Sequence, residues 1–68
     1  MRVTVNGAGR ELHDSATVAD AAALLGVRPG EPGVAVALDD AVVPGSDWTT
    51  TRVRPGARVE IVRATAGG

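Results

Sequence analysis

One stretch of this chain changes period. At residues 14–26, "DSATVADAAALLG", the apolar spacing is helical, whereas the segments on either side alternate with a period of two or break into turns. A single helix has one apolar stripe and needs one apolar surface to cover it, which a sheet built from the flanking segments can supply. One face of that sheet then takes the helix and the other faces solvent. The helical stretch also carries its own boundaries. Thr17 with Asp20 three residues on resembles a capping box, although Glu or Gln is the usual partner. Val18, Ala21, Ala22 and Leu25 share one face, and Gly26 supplies the stop.

The flanking segments read as strands. Met1, Val3 and Val5 alternate with Arg2 and Thr4. Asn6-Gly7 in "NGAG" is a strong hairpin signal, because both residues tolerate positive φ, and it predicts a short return strand from Arg10 to His13. "VRPGEPG" at 27–33 is a loop. "VAVALDD" at 34–40 puts Val34, Val36 and Leu38 on one face and Ala35 and Ala37 on the other. "AVVPGSDW" is a short extended piece broken at Pro44-Gly45, and "RPGA" at 54–57 is a turn. The last strand, "RVEIVRA", points Val59 and Ile61 inward and Arg58, Glu60 and Val62 outward. This order is that of the α+β β-grasp, or ubiquitin-like, fold: one mixed four- to five-stranded sheet packed on one helix. By analogy with that fold, the first and last strands are parallel neighbours at the sheet centre. Residues 1–63 form the domain, and residues 64–68 are expected to be a flexible tail ending in Gly-Gly.

Composition removes several classes of function. With 68 residues, a net charge of −1 and 22% charged residues, there is one domain and no electrostatic case for nucleic acid or an anionic membrane. No apolar run approaches the roughly 20 residues that span a bilayer, and "MRVTVN" is not an apolar leader, so the expected compartment is the cytoplasm. The absence of cysteine excludes disulfides, thiolate catalysis and thiolate metal sites, and His13 is the one histidine. All seven basic residues are arginine. Valine and alanine dominate the apolar set and Trp48 is the one aromatic, so modest stability is expected, with Trp48 as a core or edge plug.

No catalytic constellation emerges. His13, Asp14 and Ser15 are consecutive, and consecutive strand residues point to opposite faces, so a hydrolase triad is not expected from them. Asp39-Asp40 reads as a solvated turn pair without a third metal ligand. The chain is therefore expected not to be an enzyme, to bind no metal and to hold no cofactor. What remains is "ATAGG" at 64–68, directly after the last strand. Two successive glycines arise at a given place by composition alone on the order of 2% of the time, so the pair gains its weight from where it stands. Residues without side chains can enter a channel that admits bare backbone. Five extended residues reach about 17 Å, enough to carry a carboxylate into a partner's active site.

These features together resemble the ThiS family of thiamine-biosynthesis sulfur carriers. The likeness runs through "MRVTVNG", "TVADAAALLG", "VAVALDDAVVPGSDW" and "GARVEIVRATAGG", with Val43-Pro44 followed four residues later by Trp48 as the most telling internal match. The chain departs from the family at Gly45, where a basic residue is common, at Gly56-Ala57, where Gly-Asp is common, and at Leu38-Asp39, where the strand often ends in Asn. The resemblance implies that an E1-like adenylyltransferase of the ThiF type uses ATP and Mg to adenylate Gly68. Sulfur from a donor protein then gives a thiocarboxylate, which a thiazole synthase of the ThiG type accepts. Thr65, Ala66 and Gly67 would thread into the partner. The face opposite the helix, with Ala35, Ala37 and Val62 rimmed by Arg2, Arg58, Glu60 and Arg63, is the expected docking patch. A carrier for molybdopterin or another sulfur-containing metabolite, a ubiquitin-like modifier joined to target lysines, and a plain β-grasp binding module remain open alternatives at this level.

Overall fold

The structure, a computed structural model, describes residues 1–64. Five strands and one helix follow the expected order: β1 (Arg2–Val5), β2 (Ala8–Glu11), α1 (Val18–Ala23), β3 (Val34–Leu38), β4 (Ala41–Val43) and β5 (Arg58–Arg63). The sheet order is β2-β1-β5-β3-β4. β1 and β5 are parallel, and the other neighbours are antiparallel. The β-grasp expectation and the parallel pairing of first and last strands therefore hold.

The first hairpin is tighter than the sequence suggests. Asn6 (φ 51°) and Gly7 (φ 82°) make a two-residue turn between paired Val5 and Ala8. β2 consequently starts at Ala8 and ends at Glu11, instead of running from Arg10 to His13. The shift frees Leu12 to turn into the core and leaves His13 on the surface. Asn6 has a second role. Its Nδ2 donates to the Ile61 carbonyl (3.1 Å) and its Oδ1 accepts from the Ile61 N–H (2.7 Å). The amide thus copies a backbone pairing and lengthens a parallel ladder whose registered pairs are Thr4–Arg58 and Val5–Val59.

α1 is capped as its sequence predicts. Thr17 Oγ1 accepts from the Asp20 N–H (3.4 Å), and Asp20 Oδ2 accepts from the Thr17 N–H (2.8 Å). The helix is short, however, and Leu25 does not share its buried face. The N–H of Gly26 donates to Ala23 (3.0 Å) and that of Val27 to Ala22 (3.2 Å), with Gly26 at φ 74°. This Schellman-type closure ends the helix, exposes Leu24 and Leu25, and sends Val27 into the core instead. The buried helix face is Val18, Ala19, Ala21 and Ala22.

Val3, Val5, Val36, Val43, Val59 and Ile61 form the sheet side of the core beneath this alanine-rich helix face. Trp48 fills the largest space. It is 1% exposed, and its Nε1–H donates to the Val43 carbonyl at 2.9 Å, so its one polar atom is satisfied. Two of the family departures have structural counterparts. Ala57 is buried in the core although it closes the "RPGA" turn. A Cβ on Gly45 would sit 3.3 Å from the Gly30 Cα, because the loop after α1 packs backbone to backbone on the 3₁₀ turn Gly45–Asp47. No helix among the described residues is long and apolar enough to cross a membrane.

Candidate functional site

The sheet face away from α1 is organised by alternation. Residues registered with buried Val36, Val59 and Ile61 point to the core, and their neighbours point outward. On the outer face Ala35 stands opposite Val62, and Ala37 stands between Glu60 on β5 and Val42 on β4. Val42 is 75% exposed and Val62 65% exposed. Ala35, Ala37, Val42 and Val62 thus form one small apolar patch over β3, β4 and the end of β5. Ala35, Ala37 and Val62 lie on the outer face, as their alternation predicts. Val42 was not among the residues expected there; its place follows once Asp39-Asp40 is seen to be a two-residue hairpin turn, which sets it opposite Ala37.

Charge lines one side of this patch. Asp39 (φ 47°) and Asp40 (φ 72°) make the β3–β4 turn, and both face Arg58. The N–H of Asp39 donates to the Arg58 carbonyl (2.8 Å), and Asp39 Oδ1 accepts from the Arg58 N–H (2.8 Å). The Arg58 guanidinium contacts the Asp40 carboxylate and lies 3.4 Å from Glu60 Oε1. Its hydrogen bond to Asp40, then the charges of Asp40, Glu60 and Asp39, raise its pKa above the ordinary value. The acid pair is therefore engaged by an arginine, and no group of three metal-ligating side chains occurs among the described residues.

Arg58 and Glu60 flank the patch as expected, and Arg2 lies farther away on β1, beside Glu11 at 3.4 Å. Arg63 does not rim this face. It is registered with Val34, whose side chain packs against the core, so alternation carries it to the opposite side of β5. There it meets Glu31 Oε2 at 2.8 Å.

His13 is a surface histidine with both ring nitrogens satisfied. Outside any strand, residues two apart can meet: His13 Nδ1 lies 3.1 Å from Ser15 Oγ and Nε2 lies 3.4 Å from Asp20 Oδ2. The three side chains follow the order Ser–His–Asp, but with Asp20 in place of the Asp14 of the consecutive run. The ring nitrogens are also exchanged relative to a serine hydrolase, in which Nε2 meets the serine. The alignment is unsuited to that chemistry. His13 is 62% exposed, Asp20 is already committed to the helix cap, and no cavity for a substrate occurs among the described residues. Asp20 is held below its ordinary value of 3.8 by the Thr17 backbone N–H first, then by the Thr17 hydroxyl and His13.

The remaining expected site residues, Thr65, Ala66, Gly67 and Gly68, lie outside the described residues. The last described residue, Ala64, follows β5 directly, and its N–H donates to the Gly33 carbonyl at 2.6 Å.

A comparison with curated proteins finds no match. Among solved structures, the chain is similar to the thiamine biosynthesis protein ThiS from Geobacter metallireducens, with 28% identity, a TM-score of 0.77 and all of both chains covered. The ThiS family model matches residues 3–68. With this fold and a family match that runs through its last glycine, the chain belongs to the ThiS family.

Proposed function

We propose that this chain is a sulfur carrier for thiazole formation in thiamine biosynthesis, with the Gly68 carboxylate as its working group. The observation that carries the reading is a family match running through Gly68 on a chain whose last strand ends at Arg63. Residues 1–63 serve as the handle and residues 64–68 carry the working carboxylate.

An α-carboxyl is ionised at neutral pH, its ordinary pKa being about 3.5. Bound to an E1-like adenylyltransferase of the ThiF type, its oxygen attacks the α-phosphorus of Mg-ATP and pyrophosphate leaves. The product is an acyl-adenylate. The terminal sulfur of a donor protein's persulfide then attacks the acyl carbon, and AMP leaves. A thiol cleaves the resulting acyl disulfide, forming a new disulfide and leaving the thiocarboxylate on Gly68. Thiazole synthase of the ThiG type takes the sulfur, and the carrier returns as a carboxylate. ATP and Mg belong to the activating partner. The chain's own contribution is binding and delivery: Ala35, Ala37, Val42 and Val62 dock with Arg58 and Glu60 at their edge, and Thr65, Ala66 and Gly67 are small enough to thread.

Incubation with the cognate activating enzyme, Mg-ATP and a persulfide donor, followed by intact mass measurement, tests the reading. An oxygen-to-sulfur change located at Gly68 is expected. Formation of neither adenylate nor thiocarboxylate would overturn it. Deleting Gly68 is expected to abolish activation and leave the melting temperature unchanged. A thiocarboxylate that thiazole synthase refuses would keep the carrier chemistry and move it to another pathway.

A further inference from the structure

The end of the last strand is held by β3 on one side and by a side-chain bracket from the loop before β3. β1 pairs with the first residues of β5, at Arg58 and Val59, whereas Arg63 is registered with Val34 of β3. In addition, Arg63 Nη1 meets Glu31 Oε2 at 2.8 Å, while Glu31 Oε1 accepts from the Arg28 N–H (3.1 Å) and lies 3.6 Å from Arg28 Nε. One residue beyond Arg63, the Ala64 N–H reaches the Gly33 carbonyl at 2.6 Å. The Ala64–Gly33 bond is the next rung of the β3–β5 ladder beyond Val34–Arg63, and Glu31 adds a side-chain hold on Arg63 beside that last rung. The Glu31 side chain is 15% exposed, against 44% or more for every other carboxylate in a described ion pair. An ion pair shielded in this way is screened less by salt than a fully exposed one.

We propose that Glu31 is a positioning residue that sets where residues 65–68 begin and the direction in which they leave the domain. This rests on the carrier reading. A tether of four residues spans about 14 Å at most, so its origin decides whether the carboxylate reaches a partner's active site once the domain has docked. Releasing Arg63 from Glu31 lets the last rung, at Ala64, fray, which spreads that origin and lowers the effective concentration of the carboxylate at the reacting centre. Val62, part of the proposed docking patch, immediately precedes Arg63 and faces the other way. The bracket thus holds the tail root in a fixed relation to the docking surface.

Two measurements on the full chain test this: amide hydrogen exchange by NMR, and ATP–pyrophosphate exchange by the cognate activating enzyme. Glu31→Gln keeps the acceptor for the Arg28 N–H and removes the charge facing Arg63. It is expected to lower Ala64 amide protection and to raise KM for the carrier, each about two- to fivefold, the range such a pair can supply. kcat, Ile61 protection and the melting temperature are expected to hold. Arg63→Gln should reproduce the effect, and the double variant should be no worse than either single one. Unchanged Ala64 protection, unchanged KM, or an equal loss of protection at Ile61 would each overturn the proposal. If the wild-type chain supports no pyrophosphate exchange, the carrier reading fails instead, and Ala64 protection still decides whether the bracket exists.

Discussion

Trp48 shows how much a single residue carries in a core made mostly of valine and alanine. Truncating a large buried aromatic costs about 3–5 kcal/mol, comparable to the lower end of the total stability of a small domain. Trp48→Ala is therefore expected to leave the chain largely unfolded at 25 °C, as read by far-UV circular dichroism. Trp48→Phe keeps most of the ring but loses the donor to the Val43 carbonyl. Its expected cost is about 1–3 kcal/mol, measured as a lower denaturant midpoint at unchanged slope. Asn6 is the less obvious case. Its amide makes two hydrogen bonds to Ile61 across 55 positions of sequence, and Asn6→Ala should cost about 1–3 kcal/mol by the same measurement. That Asn6 belongs to a turn is legible from Asn-Gly. That its side chain completes the β1–β5 ladder is not, because β5 arrives from the far end of the chain.

At the scale of the element, α1 is set by its ends more than by its length. Thr17 and Asp20 cap one end reciprocally, and Gly26 closes the other. The Asp20 carboxylate is stabilised in its charged form, so its folded pKa lies below 3.8. Its contribution to stability is then complete at pH values above 3.8 and is lost as pH falls through the folded value. Glu31 has the same sign: the Arg28 N–H first, then the Arg63 and Arg28 charges, hold it below its ordinary 4.5. Asp20→Asn is expected to lower the melting temperature at pH 7, with the gap to wild type closing as the pH drops below 3.8. A gap that persists unchanged in acid would show that the charge has no part in the cap. The capping signal was readable from two residues three apart. Leu25 was misplaced because its helical spacing is right but the Schellman closure ends the helix before that spacing can act.

The whole molecule has two unlike faces. The face under α1 buries the core, and the outer face presents Ala35, Ala37, Val42 and Val62 near the end of β5. Val42→Asp is expected to leave the melting temperature within about 0.5 kcal/mol equivalent of wild type, since the side chain is 75% exposed. It should raise KM for the carrier in pyrophosphate exchange about tenfold or more, because docking would bury an unpaired charge. An unchanged KM would remove Val42 from the docking surface. Glu60 and Arg58, at the edge of the patch, are expected to alter the salt dependence of association more than its strength.

The sequence by itself determined the element order, the helix cap, the identity of the plug in the core and the inward and outward faces of β3 and β5. Each of these follows from periodicity, capping or turn chemistry within a few residues. The tertiary structure alone decided the Asn6–Ile61 pairing, the place of Val42 beside Ala37, the turn of Arg63 toward Glu31 and the meeting of His13 with Ser15 and Asp20. Apart from the histidine cluster and the β3–β4 hairpin, which are short-range, these depend on register between segments distant in the chain. Register is fixed by burying one face of a whole sheet at once, and no single segment contains that information.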